Sequence, residues 1–538
     1  MVWSRRNVRA APVRCDWRYK RHAVRDLVRL FGKSKRVMTP SEKALLDLVR
    51  RTVRAVREVS ADVHLRSMLE GADIALNELI LRQNPEFLVT HYVQGRDLVW
   101  RGIELITDDR SRQPINDNAA RLPAQIDRAM HSDVIGAAIS SASEVLCQIV
   151  NVLSEPKRRA VEGVAAFLKA VVDWEVALYR HREVHAEAFQ EHEVSPPPIT
   201  QEGMLSYLQQ RFPHWSGLEL KSFQPVVGGF SKKTFLFEIE DKIHGRQGLV
   251  ARVAPLHNFL NFDAYDLARE FRLLKYAFAK GLPVPEPILF EDDARALGAP
   301  FVISRMAPGR TIGTIKESTE PLAHELIEAI AKTIAQIHTC PLDPSDPDLA
   351  LSHLPRWLVK SLSKNTTDFI ADWRAETQRS QIDPSPAVER ALCWLEANVP
   401  TAQGAPVLIH GDFGVHNFLV DHGRVTAVLD WEVSRAGDPA EDITNFFSGS
   451  GSLVDRGLFM QAYVAAGGQP IDEFRMRYFD VYHCLKILVA ALAALRQIER
   501  WDSVGISHAV FGLRFITFTA ARLNELIELA ESKQEVQL

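Results

Sequence analysis

Three consecutive prolines, Pro196-Pro197-Pro198, divide the chain into two stretches of different hydrophobic period. Proline fixes φ and donates no backbone hydrogen bond, so such a run is extended and ends any helix that reaches it. Before the break, from Met38 to about Gln190, apolar residues recur at spacings of three and four. Leu45, Leu46, Val49, Val53 and Val56 form one stripe, and Met68, Leu69, Ala72, Leu76 and Leu79 a second. Val145, Leu146, Ile149, Val150 and Leu153 form a third, and Val161, Val164, Phe167 and Val171 a fourth. That is the spacing of amphipathic helices, and Thr39-Pro40-Ser41-Glu42 supplies a capping-box start with proline at the first helical position. Residues 38–190 are therefore expected to form an all-α helical bundle, and 191–199 a semi-rigid linker.

Beyond the break the period changes to two. Thr200 caps a short helix through Leu205 and Leu208 that ends near Pro213. Leu220 to Val227, Thr234 to Glu240 and Gly248 to Val253 read as strands, followed by a helix from Ala264 to Lys280. Strand-like segments return at Ile288–Phe290 and Phe301–Ser304, then a turn at Ala307-Pro308-Gly309. The remainder is helical apart from a strand-rich island between Val407 and Trp431. The expected class is α+β, with a sheet lobe over 200–306, a larger helical lobe over 307–538, and a cleft between them.

Composition narrows the functional classes. The chain's 538 residues carry 64 Lys/Arg against 68 Asp/Glu, a net charge of −4 that disfavours a nucleic-acid coat. Cys15, Cys147, Cys340, Cys393 and Cys484 include no C-x-x-C pair, so neither a disulfide scaffold nor a zinc site is expected, and a reducing cytoplasm fits. His181 and His185 lack a nearby third ligand and read as a solvated helix face. No membrane span is expected: the nearest candidate, Ile487 to Leu495, is closed off by Lys486 and Arg496 and reads as a buried helix. Residues 1–37 hold 12 Lys/Arg against Asp16 and Asp26. Such leaders include organellar transit peptides and basic arms, but a poorly ordered extension ahead of Met38 is the expectation.

The chemistry concentrates in Leu408-Ile409-His410-Gly411-Asp412-Phe413-Gly414-Val415-His416-Asn417 and in Val428-Leu429-Asp430-Trp431-Glu432. An apolar strand delivers His410 and Asp412 into a loop, Asn417 follows five residues on, and a second strand ends on Asp430. One carboxylate to accept a hydroxyl proton, and an amide with a second carboxylate to hold magnesium against phosphates, is the set that transfer from MgATP needs.

These motifs, with Gly437-Asp438-Pro439 and Asp442, resemble the aminoglycoside phosphotransferase and choline kinase-like family, relatives of the protein kinases, over about residues 200–525. The resemblance implies a two-lobed protein kinase-like phosphotransferase domain. In it Asp412 is the catalytic base, His410 its catalytic-loop brace, Asn417 and Asp430 the Mg2+ ligands, and Asp438 a supporting residue. It also lends weight to Gly228, Gly229 and Ser231, whose hairpin would bring backbone N–H groups and a hydroxyl to ATP phosphates. Arg252 stands where kinases usually carry lysine, with Glu270 as its partner; branches of the family joined to acyl-CoA dehydrogenases also carry arginine there. The backbone of Ser304 to Met306 would meet the adenine edge.

The activity expected is an ATP-dependent O-kinase acting on a small molecule, with a hydroxyacyl compound, aminoglycoside or amino alcohol as acceptor. Between 341 and 405 there are nine Asp/Glu against six Lys/Arg, too mild an acidity to demand a polycation. Trp357, Trp373 and Trp394 line either a pocket or, more in keeping with helical spacing, the core. A nucleotide-binding pseudokinase is the alternative, motivated by Arg252 and by a helical bundle free to engage a protein partner or a second copy. A protein kinase fits less well, since Gly411 replaces the usual arginine and no A-P-E segment follows Asp430.

Overall fold

A computed structural model describes residues 85–126, 132–182, 199–226, 232–254, 266–312, 321–352, 354–358, 361–380, 382–402, 404–499 and 506–534. The basic segment, the capping box at Thr39, the first two stripes, the side chains of His181 and His185, and the triple proline lie outside these residues.

Ahead of the proline break the longer elements are helices: α1 (Pro85–Leu105), α2 (Asp109–Ala119), α3 (Ser132–Leu153) and α4 (Val164–Arg182). The third stripe is buried throughout, and of the fourth only Val161, in the turn before α4, is exposed. Helix α1 approaches α3 and α4 closely because two glycines seven apart carry no side chain. A Cβ at Gly95 would lie 2.6 Å from the Trp174 ring, and one at Gly102 2.5 Å from that of Phe167.

After α5 (Gln201–Arg211), capped by Thr200, comes an antiparallel sheet of five strands in the order β1-β2-β3-β5-β4. The strands are β1 (Glu219–Val226), β2 (Lys233–Asp241), β3 (Gly245–Val253), β4 (Pro287–Glu291) and β5 (Phe301–Arg305). Alternation sends Phe235, Phe237, Ile239, Leu249, Ala251, Val253, Phe301 and Ile303 to one face, where they pack with Met204 and Leu208 of α5. Thr234, Leu236, Val250 and Arg252 take the other. Helix α6 (Leu267–Ala279) lies between β3 and β4 in sequence and packs on β4 and β5.

The second lobe is built on α7 (His324–His338), α8 (Leu362–Arg379), α9 (Pro386–Ala397), α10 (Pro439–Ser450), α11 (Arg456–Ala465), α12 (Glu473–Glu499) and α13 (Ile506–Gln534). Its strand island holds an antiparallel pair, Val407–Ile409 with Arg435–Gly437, and a three-stranded sheet of Arg310–Thr311, Phe418–Asp421 and Arg424–Val428. Trp357, Trp373 and Trp394 are all core residues. Two helical segments, Val134–Leu153 and Glu473–Leu495, are long and apolar enough to cross a membrane; 50% of the first window and 72% of the second is buried within the protein.

The helical region is joined to this lobe by a shared core. Val172, Val176 and Tyr179 of α4 belong to the lobe's own hydrophobic cluster, and α4 packs on α9 and α13. The junction also holds a buried carboxylate. Glu175 accepts from the Ala387 N–H at 2.7 Å, satisfying a donor in the first turn of α9, and from the Tyr179 hydroxyl at 2.5 Å. Burial pushes its carboxyl above the ordinary range, and the hydrogen bonds pull against that shift. Glu175→Ala strands these donors, so we expect a loss of about 1–3 kcal/mol, read as a lower urea midpoint for the whole chain. Glu175→Gln, which keeps an acceptor oxygen, should lose less; equal midpoints for all three proteins would refute the role.

Candidate active site

The loop after Ile409 is shaped by one glycine and one buried carboxylate. Gly411 sits at φ +79°, and a Cβ there would lie 2.8 Å from the Val433 carbonyl oxygen, so no larger residue fits this turn. Asp442, in the first turn of α10 and fully buried, accepts from the amides of His410 and Gly411, each at 2.7 Å. The same carboxylate meets His338 Nε2 at 3.0 Å, and His338 Nδ1 meets the Tyr463 hydroxyl at 2.8 Å. Asp438 caps α10 through the Ala440 N–H and pairs with Arg475. Every charge beneath the loop thus has a partner, the condition for burying it.

His410 is buried with both ring nitrogens engaged. Nδ1 accepts from the Asp412 N–H at 3.2 Å, which leaves Nε2–H to donate to the Leu429 carbonyl at 2.7 Å. Its ring stacks on Phe413 at 4.6 Å. This geometry makes His410 a brace between the loop and the strand that carries Asp430.

Asp412 opens to the cleft, its side chain 44% exposed and its Oδ1 3.5 Å from Lys486 Nζ. Lys486 donates to the Gly411 carbonyl at 2.8 Å, and Asn445 approaches the same Asp412 oxygen at 3.4 Å. Burial works against ionisation of Asp412, yet Lys486, His410 and His416 outweigh it and hold the carboxyl below its usual range. Asn417 closes the loop by donating to the Asp412 carbonyl at 2.9 Å, and its own carbonyl accepts from the Leu429 N–H at 2.8 Å. That bond sets Asn417 beside Asp430.

Asp430 adopts φ +63°, a left-handed conformation sparsely used by residues other than glycine. Its Oδ1 accepts from Arg252 Nη2 at 2.6 Å. Burial raises its carboxyl, but Arg252 and Lys232 prevail and keep it low. Asn417 Oδ1 and Asp430 Oδ2 accept no hydrogen bond among the described residues. Two hard oxygen donors on adjoining segments fit a magnesium ion that keeps most of its waters.

Arg252 reaches across from β3 and also pairs with Glu270 of α6. Cross-strand register aligns Val226, Thr234, Arg252 and Val302, and beside them Leu236, Val250 and Ser304, all on the cleft face. Met306 follows over Gly248, and Val226, Leu236 and Met306 expose apolar surface beside Arg252. The Arg305 and Met306 amides already donate, to the carbonyls of Glu286 and Gly248 at 2.9 Å each, so this segment offers a base edge its carbonyls rather than those two N–H groups. Gly228, Gly229 and Ser231 lie outside the described residues.

Several members of the site carried no role in the sequence. Lys232 reads there as half of a Lys-Lys pair, yet its ammonium is buried between Glu270 and Glu432. Lys486 read only as the boundary of an apolar run. Asn445 gave no signal, whereas Asp442 and Glu432 stood within quoted motifs whose spacing could have marked them.

Residues 222–479 match the model described as the phosphotransferase enzyme family. Acyl-CoA dehydrogenase family member 11 of Pongo abelii is 31% identical over 222 residues, which is 40% of this chain and 26% of that protein. Hygromycin-B 4-O-kinase of Escherichia coli is 24% identical over 262 residues, 47% of this chain and 67% of that enzyme. The match therefore spans about a quarter of the acyl-CoA dehydrogenase relative. Among solved structures, aminoglycoside phosphotransferase APH(4)-Ia with AMP-PNP and hygromycin B aligns at 20% identity and a TM-score of 0.42, over 61% of this chain and 98% of that one. Macrolide 2'-phosphotransferase of Brachybacterium faecium aligns at 20% identity and 0.41, over 59% and 98%. Residues 222–479, a little under half of the chain, are thus similar to the phosphotransferase enzyme family.

Proposed function

We propose that this domain moves the γ-phosphoryl group of MgATP to a hydroxyl of a small molecule, with Asp412 as the base. One observation carries the reading: Asp412, Asn417 and Asp430 of the helical lobe meet Arg252 and Glu270 of the sheet lobe at a single cleft. Phosphoryl transfer asks a protein for positioning and charge more than for covalent chemistry. Asp412 accepts the hydroxyl proton as the new oxygen–phosphorus bond forms, and ADP is the leaving group. Asn417 Oδ1 and Asp430 would hold magnesium, which when bound neutralises charge on the phosphates. Arg252 supplies a permanent cation to the same phosphates, and Leu236, Val250 and Met306 offer an apolar seat for the base.

For the acceptor we take a hydroxyacyl compound as the leading class. It is suggested by the names of the acyl-CoA dehydrogenase relatives, and the mild acidity of residues 341–405 gives a polycationic antibiotic no special hold. Hydroxyacyl-CoA thioesters, hygromycin B and amino alcohols assayed side by side for γ-phosphate transfer decide among them. The pseudokinase reading retains one favouring observation, the Arg252–Asp430 ion pair that neutralises the nucleotide end internally. ATP binding without turnover on that panel would select it.

Asp412→Asn removes the base and leaves the fold, so kcat should fall by about 10²–10⁴-fold with MgATP affinity retained; near-wild-type kcat would remove Asp412 from the role. Lys486→Met should act through pH. A base works only when ionised, and Lys486 helps to keep the Asp412 carboxyl below its usual range. Without that ammonium the carboxyl moves up, and the acid limb of kcat/KM shifts to higher pH. An acid limb that stays in place would show that Lys486 does not tune Asp412.

A further inference from the structure

Arg252 has two carboxylate engagements, one in each lobe. It bonds Glu270 through Nη1 and Asp430 through Nη2. Turning Arg252 toward the phosphates opens its bond to Asp430 Oδ1, while Asp430 Oδ2 is already free for a metal. Glu270 is 3% exposed, and a buried carboxylate left without a cation is strongly unfavourable.

The second oxygen of Glu270 is already occupied. Lys232 Nζ, in a side chain only 1% exposed, pairs with Glu270 Oε2 and lies 2.9 Å from Glu432 Oε2. The latter contact is an ion pair, and Glu432 Oε2 takes no hydrogen bond among the described residues. Burial alone would favour the neutral amine, but Glu270 and Glu432 outweigh burial and the neighbouring Arg252, so the ammonium is retained. Lys232 lies two residues before Thr234, which faces Arg252 across the ladder. Both cations therefore rise from the same face of the sheet and divide one glutamate between them, Arg252 on Oε1 and Lys232 on Oε2. The chain of charges runs Glu432, Lys232, Glu270, Arg252, Asp430.

Resting on the phosphotransferase reading, we propose that Lys232 is a positioning residue of the nucleotide site, which holds Glu270 and Glu432 when Arg252 leaves Asp430 for the phosphates of the metal nucleotide. Enclosed by two carboxylates, its ammonium acts through them and not on the phosphate itself. One carboxylate with two cations lets either cation leave without stripping the other partner. Glu432 stands two residues beyond Asp430, so the same ammonium fixes the segment that presents Asp430. A single lysine–glutamate pair, as in protein kinases, offers no such exchange.

The test uses the full chain with MgATP as probe. Lys232→Met should raise the calorimetric Kd and the KM for MgATP by about tenfold or more with kcat at saturation within about threefold, the pattern of lost nucleotide binding. Lys232→Arg, which keeps the charge, should restore most of the affinity. An unchanged Kd and KM in Lys232→Met, a loss confined to kcat, or no recovery in Lys232→Arg would each overturn the assignment. If Lys232→Met does not fold, Glu432→Gln frees the ammonium from the helical lobe and should raise the KM for MgATP; a wild-type KM there overturns the assignment equally. A wild-type chain that binds no MgATP would defeat the phosphotransferase reading itself, a different failure from wild-type turnover with an indifferent Lys232.

Discussion

The register between the two lobes rests on one side of helix α6. Glu270 takes Arg252, which spans the cleft to Asp430, and its neighbour Arg269 donates to the carbonyls of Ser352 and Ser434 at 2.8 and 2.5 Å. A further bond, from the Val428 N–H to the Pro283 carbonyl at 2.7 Å, ties the strand leading to Asp430 to the segment following the helix. A lysine at 252 could not do this as well. A guanidinium presents planar prongs that satisfy two carboxylates at once, whereas an ammonium is a point charge. The arginine thus keeps the permanent cation of a kinase site and adds a second tether.

Charge in the helical lobe is sorted by depth. Asp442, Asp438 and Glu441 are buried and paired, with His338, Arg475 and Arg435 respectively. Asp442 fixes the loop through the amides of His410 and Gly411, and Asp438 caps the helix that carries Asp442. Asp412, by contrast, is open to solvent and held by a partly exposed lysine. Rigidity beneath and accessibility above are separate properties, and the chain assigns them to different carboxylates. Pairing does not cancel the crowding altogether: burial and the neighbouring Asp442 and Asp438 push the Glu441 carboxyl up to about 7 against the pull of Arg435.

The alternation of apolar residues placed the five strands of the sheet within a few residues, because four of them bury one face in a core shared with α5 and the period is imposed by that burial. The loop at 408–417 stood out for a different reason: His410, Asp412 and Asn417, residue types with chemistry to offer, crowd into a short segment. Lys232 and Lys486 were opaque because their roles arise from distance in space. Lys486 meets Gly411 from 75 residues away, and nothing in an apolar run flanked by Lys486 and Arg496 shows which end turns inward. The partners of the Arg305 and Met306 amides were opaque for a related reason: they are the carbonyls of Glu286 and Gly248, which a linear reading does not bring near.

The helical region follows from the same economy of burial. An amphipathic bundle beside a two-lobed domain could hang from its linker or dock. Here α4 contributes Val172, Val176 and Tyr179 to the second lobe's core, and Glu175 adds a buried polar bond at the start of α9. A second link lies at the edge, where Arg159 pairs with Glu531 of α13 at 3.1 Å. Docking on α9 and α13 attaches the bundle to the lobe that carries Asp412, whereas the nucleotide strands pack their core against α5. Any opening of the cleft then moves the sheet lobe against a larger fixed body made of the bundle and the catalytic lobe together. In that arrangement the bundle extends the lobe that carries Asp412 and leaves the sheet lobe with its own core on α5.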